Sequence, residues 1–255
     1  MASGDSEDYV RSFARGLRVI EAMGRRSGPM SIAELTEATG LPRSAVRRFV
    51  MTLSGLGYIR SIRGAYSLTP RVLRLGMSYL HSLPAWRNTE RVLEDLCAEV
   101  SQSCAMSVLD GDEIVYVARV HTRRILSMSP VIGSRLPAYA VSMGRVLLAE
   151  LDDDALADYL QSVEIVQRTA VTTTDRAALR SAIEAVRTNG YAWVDRQLDD
   201  SICGIAVPVR GFDHGISAAI NVSLPAGEFD EATAVREFLS PLRQAAAAIR
   251  ALSRQ

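Results

Sequence analysis

Arg43, Ser44, Arg47 and Arg48 crowd into six consecutive residues, a pattern suited to meeting a polyanion. At 100° per residue, Ser44, Arg47, Arg48 and Met51 share one side of a helix, with Val46, Phe49, Val50, Leu53 and Leu56 on the other. An arginine fork matches phosphate oxygens and guanine edges, so such a face suits the major groove of DNA. A second candidate chemistry lies in Arg135-Leu136-Pro137-Ala138-Tyr139-Ala140-Val141-Ser142-Met143-Gly144-Arg145, where a loop runs into a helix start. Free backbone amides and the positive end of the helix dipole favour a carboxylate there. Taken alone, Ser142 also reads as a plain N-cap.

Other chemistries are poorly supported. All 29 basic side chains are arginine, so a Schiff-base lysine and the phosphate-binding lysine of a P-loop are excluded. His81, His121 and His214 stand apart from cysteines and carboxylates at ligand spacing, and neither H-E-x-x-H, C-x-x-C nor G-x-S-x-G occurs. Neither a metal nor a cofactor is expected. Asp152-Asp153-Asp154 reads as a solvated acidic run interrupting a helical segment. Cys97, Cys104 and Cys203 are odd in number and scattered, which fits a reducing cytoplasm. A rival reading makes Cys104 and Cys203 the thiols of a reductase, with the N-terminal module as a protein-docking domain.

The elements that must position these residues follow from patterning. Val10, Phe13, Leu17, Ile20 and Met23 predict one face of an amphipathic helix. Ser31-Ile32-Ala33-Glu34 is a capping box opening a short second helix, which stops at Gly40; Pro42 then begins the arginine-bearing third. Residues 58–62 and 65–68 predict two strands joined at Arg63-Gly64. Three helices and a basic-tipped hairpin make a winged helix-turn-helix over residues 9–69. Its DNA-facing set is Ser31, Arg43, Ser44, Ala45, Arg47 and Arg48, with Arg63 on the wing. Residues 70–83 predict a linker helix, a simple spacer or a contact within a symmetric dimer.

Residues 84–254 predict a second domain. Helices are expected at 89–101, 142–160, 176–188 and 231–252, and strands at 105–109, 114–120, 191–195, 202–209 and 216–223. A Gly211-to-Gly215 turn joins the last two strands. Helices flanking an antiparallel sheet give an α+β class. The formal net charge of zero conceals an asymmetry: residues 1–80 hold twelve arginines against six acids, the remainder 17 against 23. A basic N-terminal module points to nucleic acid. No apolar run is long enough for a membrane span.

Nearly the whole chain resembles the IclR family of bacterial transcriptional regulators. The resemblance rests on Phe13-Ala14-Arg15-Gly16-Leu17 through the wing end Ser67-Leu68-Thr69, and on the helix start Ser142-Met143-Gly144-Arg145-Val146-Leu147-Leu148-Ala149. It continues in Gly190-Tyr191-Ala192-Trp193-Val194-Asp195, Ile205-Ala206-Val207-Pro208-Val209 and Ala218-Ala219-Ile220-Asn221-Val222-Ser223. The resemblance implies a GAF-like effector domain, a small organic acid as ligand, operator DNA as partner, and dimers or dimers of dimers. Carried over by position, it implies effector contacts at Ile125, Leu136, Ser142, Met143, Asp195, Gly204, Asn221 and Ser223. The chain departs from the family pattern at Gly204, where cysteine or serine is common, and at Arg196-Gln197, where an acidic pair is common. Within the family it looks closest to regulators of protocatechuate, 4-hydroxybenzoate and β-ketoadipate pathway genes.

Overall fold

A computed structural model describes residues 9–82, 86–122, 130–213 and 216–252. The chain divides into two compact units after Ser82.

The first unit opens with α1 (Arg11–Gly24), α2 (Ile32–Thr39) and α3 (Arg43–Gly55). Ser31 caps α2 as its spacing requires: its hydroxyl accepts from the Glu34 amide at 3.3 Å, and the Glu34 carboxylate takes the Ser31 amide at 2.8 Å. Gly40 ends α2 with φ +65°, the left-handed geometry that glycine adopts without a Cβ penalty. Strands β1 (Ile59–Ile62) and β2 (Ala65–Leu68) pair antiparallel, and Arg63 and Gly64 both take positive φ at the tip. That is the turn whose twist matches a two-residue hairpin. Met30 bridges to Tyr66, tying the wing to the start of α2. A single 3-10 turn at Pro70–Val72 leads into α4 (Leu73–Ser82).

The core here is Val19, Met23, Leu35, Val46, Val50 and Leu53, with Met30 and Ile59 from the wing side. Two apolar faces are left partly open. The α1 stripe is not inward along its length, since Val10, Phe13 and Leu17 are exposed, and Leu56 at the end of α3 is 53 % exposed. The unit is too small to wrap these side chains, so its first helix keeps an apolar flank.

The second unit is one antiparallel sheet between helices. Strands β3 (Ser103–Asp110), β4 (Glu113–Val120), β5 (Arg135–Pro137), β6 (Ala192–Asp195), β7 (Ile202–Asp213) and β8 (Ile216–Pro225) lie in the order β5-β4-β3-β8-β7-β6. One face packs on α5 (Trp86–Val100) and α9 (Glu231–Leu252); the other meets α6 (Ser142–Ala149), on which α8 (Arg176–Asn189) packs. Strand β5 falls where only a loop was expected, ahead of a 3-10 turn at Ala138–Ala140.

The single helix expected over 142–160 is two. The chain breaks after Ala149, and Asp152 restarts it as N-cap of α7 (Asp153–Ser162), its Oδ1 accepting from the Ala155 amide at 2.8 Å. Asp153 pairs with Arg187, which also donates to Ala149 O and Leu151 O, so the acidic run caps a helix and seals the break. Among the described residues no cluster of histidine, cysteine or carboxylate could hold a metal, and no helix is long and apolar enough to cross a membrane. Of the expected turn over 211–215, His214 and Gly215 lie outside the described residues.

Candidate functional site

On α3 Arg43, Ser44, Arg47 and Arg48 are exposed, as are Met51 and Thr52, while Ala45 is half-buried. Arg63 is exposed at the wing tip. Ser31 stands apart: besides capping α2 its hydroxyl donates to Glu34 Oε2 at 2.9 Å, so both its functions are already engaged. Arg26 reinforces that box through Glu34 Oε1 at 2.8 Å. Together the Ser31 amide and hydroxyl and Arg26 hold the Glu34 pKa below its ordinary value.

In the second unit the sheet and α6 line an open-mouthed cavity of about 50 Å³. Strand register explains its lining. Ser223 pairs with Gly204, and Asn221 with Ala206 and Ala105, so Gly204, Asn221 and Ser223 share the sheet face turned to α6. Leu136, Ser142 and Met143 complete the group of expected residues gathered here. Gly204 leaves room that a side chain would take, because a Cβ there would sit 3.3 Å from Ser142 Oγ. Asp195 is not in the lining; its carboxylate faces Arg196, with Nη2 at 3.1 Å. Ile125 lies outside the described residues.

Ser142 is not the N-cap. Val141 holds that position with no side-chain cap, so the amides of Ser142, Met143 and Gly144 lack helical acceptors. Met143 is buried, its sulfur accepting from the Ser107 hydroxyl at 3.3 Å. Asn221 is 6 % exposed and donates to Ser223 Oγ at 3.1 Å, yet its Oδ1 accepts from none of the described residues. A buried acceptor left without a donor is costly, and here it faces a cavity that a ligand donor can enter.

Sequence reasoning missed Arg119. In regular alternation Tyr116 and Arg119 point to opposite faces. A bulge places Val117 as an extra residue: Met106 pairs with Ala118 but Ser107 with Tyr116. Both Tyr116 and Arg119 therefore line the cavity, and the guanidinium stands 5.8 Å from the tyrosine ring centroid while donating to Pro130 O at 2.6 Å. Burial lowers the Arg119 pKa and raises that of Tyr116 to about 12, keeping the phenol neutral. Among the described residues, neither aspartate nor glutamate lines this space. An arginine inside an otherwise apolar strand was the available signal.

The thiols do not form a reactive pair. All three cysteines are free and buried. Burial raises the Cys104 pKa and pushes Cys203 up to about 12, and the thiolate rather than the thiol is the nucleophile. Cys104 lies opposite Val222 and Cys203 opposite Leu224, with β8 between their strands. Two strand spacings are about 9–10 Å, beyond the roughly 7 Å limit for a disulfide.

Comparison with known proteins decides between the readings. A family model described as the bacterial transcriptional regulator IclR C-terminal domain matches residues 77–251, and the IclR helix-turn-helix model matches residues 12–62. The chain belongs to the IclR family. Members of this family are transcriptional regulators, which removes support from the reductase alternative. A Pca regulon regulatory protein of Pseudomonas putida is 39% identical over 233 residues, 91% of this chain and 80% of the relative. The p-hydroxybenzoate hydroxylase transcriptional activator of Acinetobacter baylyi is 32% identical, covering 97% of this chain and 93% of its own. Among solved structures, a transcriptional regulator of Rhodococcus sp. RHA1 aligns with TM-score 0.82 at 42% identity, covering 96% of this chain and 99% of that one. An IclR homologue of Microbacterium hydrocarbonoxydans complexed with 4-hydroxybenzoate aligns with TM-score 0.81 at 25% identity, over 95% of this chain and 99% of the other.

Proposed function

We propose that this IclR-family regulator controls genes of aromatic acid catabolism in the bacterial cytoplasm, reading operator DNA with its first unit and an aromatic carboxylate with its second. The observation that carries the effector reading is the cavity itself. Arg119 and the open amides of α6 offer donors to an anion, no acid lines the space among the described residues, and the orphaned Asn221 Oδ1 requires a donor such as a phenolic hydroxyl. A hydroxybenzoate supplies both groups on one rigid ring. Relatives named for Pca and p-hydroxybenzoate regulation, and a neighbour holding 4-hydroxybenzoate, support the same choice.

Arg43, Ser44, Ala45, Arg47 and Arg48 face the major groove in this reading, with Arg63 on phosphate or in the minor groove. The exposed flank of Val10, Phe13 and Leu17, beside Leu56 and Leu75, supports pairing of two copies on an inverted repeat, with residues 70–83 as the linker helix. Two measurements test the whole. Each phosphate-contacting arginine removed flattens the salt dependence of operator binding by about 0.9 per contact; unchanged binding in both Arg47→Ala and Arg48→Ala refutes the groove assignment. A thermal-shift screen with 4-hydroxybenzoate and protocatechuate should stabilise the protein by about 2.7 kcal/mol at one hundred times the dissociation constant. A flat response to every carboxylate refutes the effector cavity.

A further inference from the structure

Arg145 enters the core on the turn after Gly144 and is 6 % exposed, with burial lowering its pKa to about 10. Its acceptors are all neutral: Gln197 Oε1 at 2.6 Å, Tyr139 O at 3.1 Å and Thr173 Oγ1 at 3.3 Å. Among the described residues no carboxylate pairs with it. A buried cation without a counter-ion is a strongly unfavourable arrangement unless an anion comes near.

The shortest of these bonds leads to the cavity. Gln197 lines it, and its seat is built by a cluster of threonines. Thr172 donates to Gln197 O and buried Thr169 to Arg196 O, each at 2.7 Å, while Arg196 takes φ +52° to make the turn. The Gln197 Oε1 also accepts from the Thr173 amide at 3.1 Å. Both partners of that oxygen are donors, so the orientation of the carboxamide is set by chemistry. Its NH2 is the remaining end, and it donates to none of the described residues.

We propose that Gln197 sets the charge preference of the effector cavity, passing the positive charge of Arg145 to an anionic ligand through its carboxamide. This rests on the effector reading above. Polarised from behind by a guanidinium, the amide becomes a stronger donor toward the cavity. A glutamate at this position neutralises Arg145 and sets a carboxylate against the incoming anion, so the neutral side chain is what leaves the charge available.

Gln197→Glu tests this in the full chain, with 4-hydroxybenzoate and its neutral counterpart 4-hydroxybenzamide as probes in titration calorimetry. The expected result is that the acid weakens at least tenfold while the amide changes less than threefold, and that the unliganded variant melts higher than the parent because Arg145 has gained an ion-pair partner. Equal losses for acid and amide show a merely structural role and overturn the proposal, as does unchanged binding of the acid. Failure of the parent protein to bind either probe overturns the aromatic-acid reading instead, and this proposal falls with it.

Discussion

Gly144, the third residue of α6, packs so closely that a single methyl group should be felt. A Cβ there would lie 2.1 Å from Ala138 O, 2.4 Å from its Cα and 2.5 Å from its carbonyl carbon. All three are backbone atoms of a buried 3-10 turn, so no side chain can swing aside. Relief needs a displacement of about 1 Å, and overpacking of this kind costs about 1–3 kcal/mol. The movement also strains the Arg145 Nε bond to Tyr139 O, adding about 1 kcal/mol. For a unit of this size each kcal/mol lowers the melting temperature by about 2–4 °C, so Gly144→Ala should lower it by about 4–16 °C. The two tryptophans, Trp86 and Trp193, both belong to the second unit, so tryptophan fluorescence follows its unfolding selectively. A variant that melts within 2 °C of the parent refutes the close approach of α6 to this turn.

Gly204→Val places its methyl groups between Ser142 and Asn221 and should abolish the thermal shift given by 4-hydroxybenzoate while the unliganded protein still folds; a retained shift contradicts the location of the cavity. The depressed pKa of Glu34 makes its box stabilising above the ordinary glutamate value of about 4.3 and lost as pH falls through the lower folded value. Acid titration of first-unit helicity should therefore show a limb below pH about 4 that flattens in Glu34→Gln, and an identical limb in both proteins excludes this group as its source.

The α+β class and the winged helix were legible because periodicity reports which residues share a side. The capping box and the Arg63-Gly64 tip were equally plain, since each needs only neighbours in sequence. Periodicity is silent about what covers a side, so it does not show that the α1 stripe stays open, with Phe13 68 % exposed. The break between α6 and α7 was hidden because 142–160 is apolar at helical spacing, and the competing signal was a lone N-cap at Asp152. The Arg145–Gln197 bond joins residues 52 apart, on a loop and a helix whose approach only the folded sheet defines.

The bulge at Val117 has a consequence for how such a regulator keeps its ligand over generations. Arg119 faces the cavity because β4 carries one more residue than its partner strand between two paired positions. Losing that residue leaves Tyr116 and Arg119 two positions apart, so strict alternation keeps both on the cavity face, without altering the identity of either. A deletion in a strand, usually counted as damage, is here one that descendants of this chain can absorb without discarding the cationic wall. Substitution libraries, which keep chain length constant, never sample it.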